Sequence, residues 1–261
     1  SFFTEQGEIK AVDGVDFSYR QDPPDNYFWY KDKLEGVRFD GVAGGLQKYL
    51  EDRIVNWISN AIRKYGIKRL VFSGGLAMNI KLNMLLARLN ELDDFFVTAS
   101  PDDNTNSIGV CYRALYQQKN EVCGRTFDNV YFGPDIDDSE IESVIRKNNL
   151  SQLCSISENA DAEFIADKLA AGIVTGRCSG RMEFGARALG NRSILADPRN
   201  LEVVSRINRI IKKRDFWMPF APVIIDSYWD KYLINPQNVY SPYMTVGFET
   251  TAAGRKAMPA T

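Results

Sequence analysis

The sequence predicts an α/β fold in its first half and an α+β arrangement in its second. Three observations carry that expectation. Apolar runs at 69–73 and 94–99 each lead through a turn into a helical pattern, as buried parallel strands with crossover helices do. Before them, Leu46, Leu50, Ile54, Trp57, Ile58, Ala61 and Ile62 recur at three- and four-residue steps, which marks one apolar helix face. Beyond residue 125, short strand-like and helical runs mix around glycine-rich turns. At 261 residues with 44% hydrophobic and 25% charged residues, the chain suits one large soluble domain or two smaller ones.

The elements follow in order. Residues 7–20 and the aromatic run Tyr27–Tyr30 are expected as strand and hairpin, with a loop at Pro23-Pro24. A helix over 45–65 stops at Gly66, placed for a left-handed cap. Strand 69–73 turns at Gly74-Gly75 into a helix over 77–89, with Asn79 and Asn83 one turn apart. Strand 94–99 ends in Ser100-Pro101-Asp102-Asp103-Asn104-Thr105-Asn106, followed by a helix over 107–118. An acid there is either a metal or substrate ligand or a helix cap. A polar linker covers 119–127; a strand is expected at 130–133, a helix opened by Asp135–Asp138 and running to Lys147, a helix at 163–171, and a strand at 173–176. A helix over 201–212 carries Val203, Ile207, Ile210 and Ile211 on one stripe, and strand-like residues at 223–225 precede a short helix over 228–234.

No run of 18 apolar residues exists and SFFTEQGEIK lacks a signal-peptide pattern, so neither a membrane span nor export is expected. Four cysteines without CxxC spacing read as free thiols of a cytoplasmic protein. Histidine is absent, which removes the commonest general base and metal ligand. With no initiator methionine and an abrupt end at GRKAMPAT, the chain is expected to be a fragment of a longer protein.

Charge concentrates in residues 176–214. Ten basic residues there face only Glu183, Asp197 and Glu202, although the whole chain carries −2. Crowded cations repel unless an anion sits among them. Four glycines at 176, 180, 185 and 190 open the backbone to a ligand, and arginine offers a planar fork to phosphate or carboxylate. A phosphorylated small ligand ranks first. A salt-bridge network and a nucleic-acid surface stay open, the latter opposed by a pI near 5.4. Glu183 either orients an arginine by ion pairing or helps hold magnesium.

Residues 180–199, GRMEFGARALGNRSILADPR, followed by INRIIKKRDFWMPFAP at 207–222, resemble the C-terminal signature of the O-carbamoyltransferases, the nodulation and antibiotic-tailoring enzymes. FSGGLAMNIKLN at 72–83 resembles the family's GG-x-A-x-N-x-x-x-N, and SPDDNTNSIGV a divergent form of its P-x-x-G-D-x-G segment. The family's proline is Ala186 here, and Cys178-Ser179 replace its usual Phe-Gln. The resemblance implies a partial actin-like ATPase-fold domain over 1–124 and a YrdC-like twisted-sheet domain, truncated, over 125–261.

It further implies an enzyme of two steps: carbamoyl phosphate and ATP give carbamoyl adenylate, and the carbamoyl group then moves to a substrate hydroxyl. Arg181, Arg187, Lys212 and Arg214 are expected to act on the phosphates and carbamoyl group. Arg192, Asn191, Ser193 and Asn208 are expected to support nucleotide binding there, and Gly74, Gly75, Asn79 and Asn83 match the adenosine-contacting segment. Asp103 matches the metal-binding aspartate. ATP, Mg2+ and, in the full-length protein, Fe2+ or a similar transition metal are the implied cofactors. The remaining metal ligands of the family are histidines lying upstream. The fragment alone is expected to be inactive. The partners expected are carbamoyl phosphate and a small hydroxyl-bearing acceptor, without membrane or nucleic acid, and a homodimer stays open. Two other readings remain: carbamoylation of a protein thiol, as in hydrogenase maturation, and a YrdC-like module binding nucleotide or double-stranded RNA.

Overall fold

The computed structural model describes residues 10–12, 15–18, 26–120, 129–158 and 160–261. It is a mixed helix and strand architecture with four two-stranded sheets among those residues. Strands β1 (Lys10–Val12) and β2 (Asp16–Ser18) form the expected hairpin. The Trp57 indole N–H donates to Val15 O at 2.7 Å and ties this hairpin to the long helix.

The aromatic run at 27–30 is helical, not extended: it lies in α1 (Asn26–Leu34). YFWY has no polar alternation to hold a strand. In a helix, Lys33 lies one turn from Trp29, with its ammonium 4.9 Å from the ring. Helix α2 (Phe39–Tyr65) starts six residues earlier than the expected 45 and ends as predicted. Gly66 takes φ +69°, and its N–H donates to Ile62 O.

Strand β3 (Arg69–Val71) pairs in parallel with β4 (Asp94–Phe96), Leu70 opposite Phe95. One face of the pair packs on α2. Ile54, Ile58, Ile62, Phe72, Ala77, Leu82, Leu86, Phe95, Val97 and Val246 form the core. The expected helix over 77–89 is broken in two. A 3-10 turn at Gly75–Met78 is followed by α3 (Ile80–Leu86). The break falls at Asn79, whose extended backbone frees its side chain to cap Leu82 N–H at 3.0 Å. Cap formation there outweighs continuity of the pattern.

Helices α4 (Asn106–Lys119), α5 (Asp138–Lys147) and α6 (Ala162–Ala170) follow as expected. Asp137 and Asp161 cap α5 and α6 through their carboxylates. The expected strand at 130–133 is an irregular segment instead. It still bonds across to 182–184: Phe184 N to Val130 O at 2.7 Å and Gly133 N to Met182 O at 2.9 Å. Strands β5 (Thr175–Cys178) and β6 (Arg192–Leu195) are antiparallel, Cys178 opposite Arg192.

The expected helix over 201–212 changes type midway. Helix α7 (Glu202–Arg206) passes into a π turn at Ile207–Ile211, closed by Lys212 N on Ile207 O at 2.8 Å. The wider turn breaks the predicted stripe. Val203 and Ile207 are buried, whereas Ile210 and Ile211 face solvent. Residues 223–225 are irregular rather than strand. Helix α8 (Trp229–Tyr232) leads into β7 (Leu233–Ile234), paired with β8 (Glu249–Thr250) before α9 (Ala252–Ala257).

The segment before β8 returns to the first core. Val246 is buried in it, Thr245 Oγ1 donates to Val97 O, and Gly247 N donates to Ile80 O. No helix among the described residues is long and apolar enough to cross a membrane. Leu82 is fully buried at the centre of this packing. Leu82→Ala is expected to lower unfolding free energy by about 2–5 kcal/mol, read from urea denaturation at constant m.

Candidate functional site

The chemistry-bearing turns gather at the carboxyl ends of β3 and β4. Gly74, at φ +99°, lets the chain turn directly after β3. Its N–H donates to Pro101 O at 2.7 Å, and Ser73 Oγ donates to the same carbonyl at 3.1 Å. The two turns are therefore fastened side by side. Ser100 Oγ donates to Asp102 Oδ1 at 2.8 Å, and Asn104 N and Nδ2 donate to the same oxygen. These bonds, the Ser100 hydroxyl first, hold the Asp102 carboxyl below its ordinary value.

A third piece arrives from far along the chain. The long loop between β5 and β6 presses onto the same turns. At Gly185, φ is +109°, and a Cβ there would lie 3.2 Å from both Ala99 O and Ser100 Cβ. No other residue type fits both the conformation and the gap. Two residues on, the half-buried Arg187 reaches Met78, with Nη1 3.8 Å from Sδ. Burial pushes the Arg187 guanidinium below its ordinary value, and the nearby Asp102 charge partly offsets this. No carbonyl or carboxylate oxygen bonds to it among the described residues.

The foot of this loop is organised by Glu183. The carboxylate is buried, and its Oε1 accepts the backbone N–H groups of Leu189, Asn191 and Arg192 at 2.8, 2.6 and 3.1 Å. Gly190, at φ +113°, turns the chain so that these donors converge. Desolvation opposes the charge, but the converging N–H groups outweigh it and hold the carboxyl below its ordinary value. Among the described residues no ion pair forms at Glu183; a ring of main-chain donors takes its place, because the nearby arginines spend themselves elsewhere.

They spend themselves on carbonyls. Arg177 donates to Gly190 O at 2.6 Å and to Asn191 Oδ1. Arg181 donates to Phe132 O and Gly133 O. Arg192 donates to Ser179 O, Gly180 O and Asn191 O. Asn191 Nδ2 bonds Arg181 O, and Ser193 Oγ accepts Gly190 N–H.

The other expected site residues lie as follows. Gly75 begins the 3-10 turn, and Asn79 exchanges bonds with Gln47 of α2. Asn83 is fully buried; its Nδ2 donates to Ala77 O and Thr245 O at 2.7 Å, and its Oδ1 is without a partner. Asn208 is also fully buried and clasps the loop that follows it. Its Nδ2 donates to Phe216 O and Met218 O, and its Oδ1 accepts Arg214 Nε at 2.6 Å. Arg214 also lies 4.8 Å from the Phe220 ring. Lys212 is exposed. No hydrogen bond or ion pair among the described residues joins Lys212 or Arg214 to Arg187. Asp103 is exposed, and no group of three histidine, cysteine, aspartate or glutamate side chains suited to a metal ion occurs among the described residues.

The structure thus brings Gly74, Gly75, Asp103 and Arg187 into one neighbourhood. Met78 belongs to it as well, as does Asp102, one of the acids expected there as ligand or cap, whose carboxylate caps the 3-10 turn at Asp103–Thr105. The signal for the Glu183 ring was present: an acid six to nine residues before a leucine-glycine-asparagine-arginine turn.

Comparison with known proteins agrees with this convergence. The profile described as carbamoyltransferase N-terminus matches residues 25–112, and that described as carbamoyltransferase C-terminus matches 166–261. The chain belongs to the carbamoyltransferase family. Nodulation protein NolO of Bradyrhizobium diazoefficiens is 36% identical over 186 residues, covering 71% of this chain and 34% of that protein. Nodulation protein U of the same organism is 29% identical over 236 residues, covering 87% and 38%. An uncharacterized protein of Methanocaldococcus jannaschii is 36% identical over 224 residues, covering 84% and 40%. The chain therefore spans 34–40% of the length of these relatives. Both carbamoyltransferase profiles take in part of the site: the Gly74 and Asp103 turns fall in the first, and the Glu183–Arg192 loop in the second.

A carboxyl held low in the folded state stabilises it above the unfolded value, near 4.3, and loses that contribution as pH falls toward the folded value. The stability difference between the parent and Glu183→Gln is therefore expected to be constant from pH 7 to 5 and to shrink below about pH 4.3. Urea titrations at pH 6, 4 and 3 check this. A difference that grows on acidification contradicts the assignment.

Proposed function

We propose that this chain is the part of an ATP-dependent carbamoyltransferase that gathers the anionic groups of its substrates. Water and carbamoyl phosphate give carbamate and phosphate. A carbamate oxygen attacks the α-phosphorus of ATP, forming carbamoyl adenylate and releasing pyrophosphate. The acceptor hydroxyl oxygen then attacks the carbamoyl carbon; the bond to the AMP oxygen breaks, and the hydroxyl proton leaves to solvent. Family membership supports the carbamoyl transfer. The adenylate route, the actin-like and YrdC-like architecture and the small hydroxyl acceptor are the finer parts of the proposal.

One observation carries the reading. The Arg187 guanidinium is half-buried at the strand-end turns, and a thioether is its sole hydrogen-bond partner among the described residues. A cation taken out of water without an oxygen partner is costly, and a phosphate or carbamoyl oxygen would satisfy it through two parallel bonds. Arg177, Arg181 and Arg192 build the frame around it through carbonyls, leaving their charges uncancelled by acids. That field favours anions and stabilises charge developing on a leaving phosphate. Lys212 and Arg214 supply further positive charge on the loop clasped by Asn208.

Magnesium enters with ATP. Asp103 does not by itself fit a transition metal.

Calorimetric titration of the chain with carbamoyl phosphate and with ATP and magnesium tests this. Arg187→Ala is expected to weaken binding roughly tenfold to a hundredfold, the worth of one or two charged hydrogen bonds. Unchanged affinity in that variant sinks the reading.

A further inference from the structure

The loop that carries Arg187 is secured at its foot and bare at its crest. At the foot, Glu183 Oε1 gathers three N–H groups from residues 189–192, and Asn191 Nδ2 reaches back to Arg181 O. Phe184 N is bonded to Val130 O. At the crest, Gly185 abuts Ala99 and Ser100, and the guanidinium of Arg187 has the Met78 sulfur as its one hydrogen-bond partner among the described residues. A thioether is a weak acceptor, so the crest contact is too feeble to place a long, rotamer-rich side chain. The placement has to come from the closed foot.

We infer that Glu183 is the positioning residue for Arg187: its carboxylate closes the 183–192 loop and thereby sets where the Arg187 guanidinium meets an anion. The Oε1 of Glu183 is taken up by main-chain N–H groups of the loop itself. It acts by making the main chain of 189–192 single-valued, so that the span from 184 to 188 is short, anchored at both ends and pressed against the β4 turn. Without it, the main chain of 189–192 loses the acceptor on which its N–H groups converge, the span is looser at that end, and ordering it again is charged against ligand binding. The inference rests on the reading of Arg187 as the anion anchor.

A double-mutant cycle on the chain separates the two, with carbamoyl phosphate as the probe. The parent, Glu183→Gln, Arg187→Ala and the double variant are titrated by calorimetry at a temperature where circular dichroism finds each folded. Amide hydrogen exchange of 189–192 is followed in parallel. Glu183→Gln is expected to weaken binding about tenfold and to speed exchange of the Leu189, Asn191 and Arg192 amides. In the Arg187→Ala background it is expected to cause no further loss of affinity, because there is no guanidinium left to place. Arg187→Ala alone is expected to leave the exchange of these amides unchanged.

Additive losses in the double variant overturn the positioning role while sparing the anion reading, as does parental affinity in Glu183→Gln. Parental affinity in Arg187→Ala removes the anion reading and this inference with it. If Glu183→Gln does not fold, Glu183→Asp keeps the charge but ends one methylene short. The same cycle is then run with it, and the same outcomes decide.

Discussion

The second half of the chain depends on how a crowd of cations is held together with one buried carboxylate. Ion pairing would be the simple solution, yet of these arginines Arg199 alone has a short bond to an acid among the described residues, Asp197. Arg177, Arg181 and Arg192 instead donate to main-chain carbonyls of the loops around them. Ion–dipole bonds of this kind satisfy the guanidinium donors without neutralising the charge. The loops are stiffened and the positive field survives. Glu183 completes the same logic in reverse, a carboxylate served by backbone N–H groups rather than by cations. Acid and base share one loop without cancelling each other.

The second constraint is that distant segments close on one core. Val246 enters the cluster built from α2, β3, α3 and β4, and Asn83 bonds Thr245 O across 162 positions of sequence. Gly185 meets Ala99, and Arg187 meets Met78. The two profile-matched regions are therefore not independent in their packing. The strand-end turns of one are floor to the loop of the other, as ligand sites at the carboxyl ends of parallel strands require walls from elsewhere.

Local rules made much of the fold legible. The Gly66 cap, the strand–Gly74–Gly75 turn, the parallel β3–β4 pair and the acid-led starts of α5 and α6 follow from residue types within a few positions of each other. What escaped depends on partners far away or on competition between close alternatives. Asn79 breaks a continuous helical pattern because capping and bonding to Gln47 win locally. The π turn at 207–211 follows the burial of Asn208, which no stripe of isoleucines foretells. In the site, the arginine-rich loop was visible from charge and glycine spacing. The carbonyl partners of its arginines were not, since Phe132 O and Gly133 O lie nearly fifty residues from Arg181. Asn83 and Asn208 were read as ligand contacts from motif position. Both are fully buried, and their amide nitrogens are engaged by main-chain carbonyls.

Holding arginines by carbonyls has a consequence for the solvent conditions the site tolerates. Dissolved salt screens charges that face each other through water over several ångströms and scarcely touches a hydrogen bond at contact distance. On the proposed reading of Arg187 as an anion anchor, rising ionic strength competes with the incoming anion while the frame of Arg177, Arg181 and Arg192 stays assembled. Binding and architecture answer to different variables, and the loop keeps its shape in a medium that empties it.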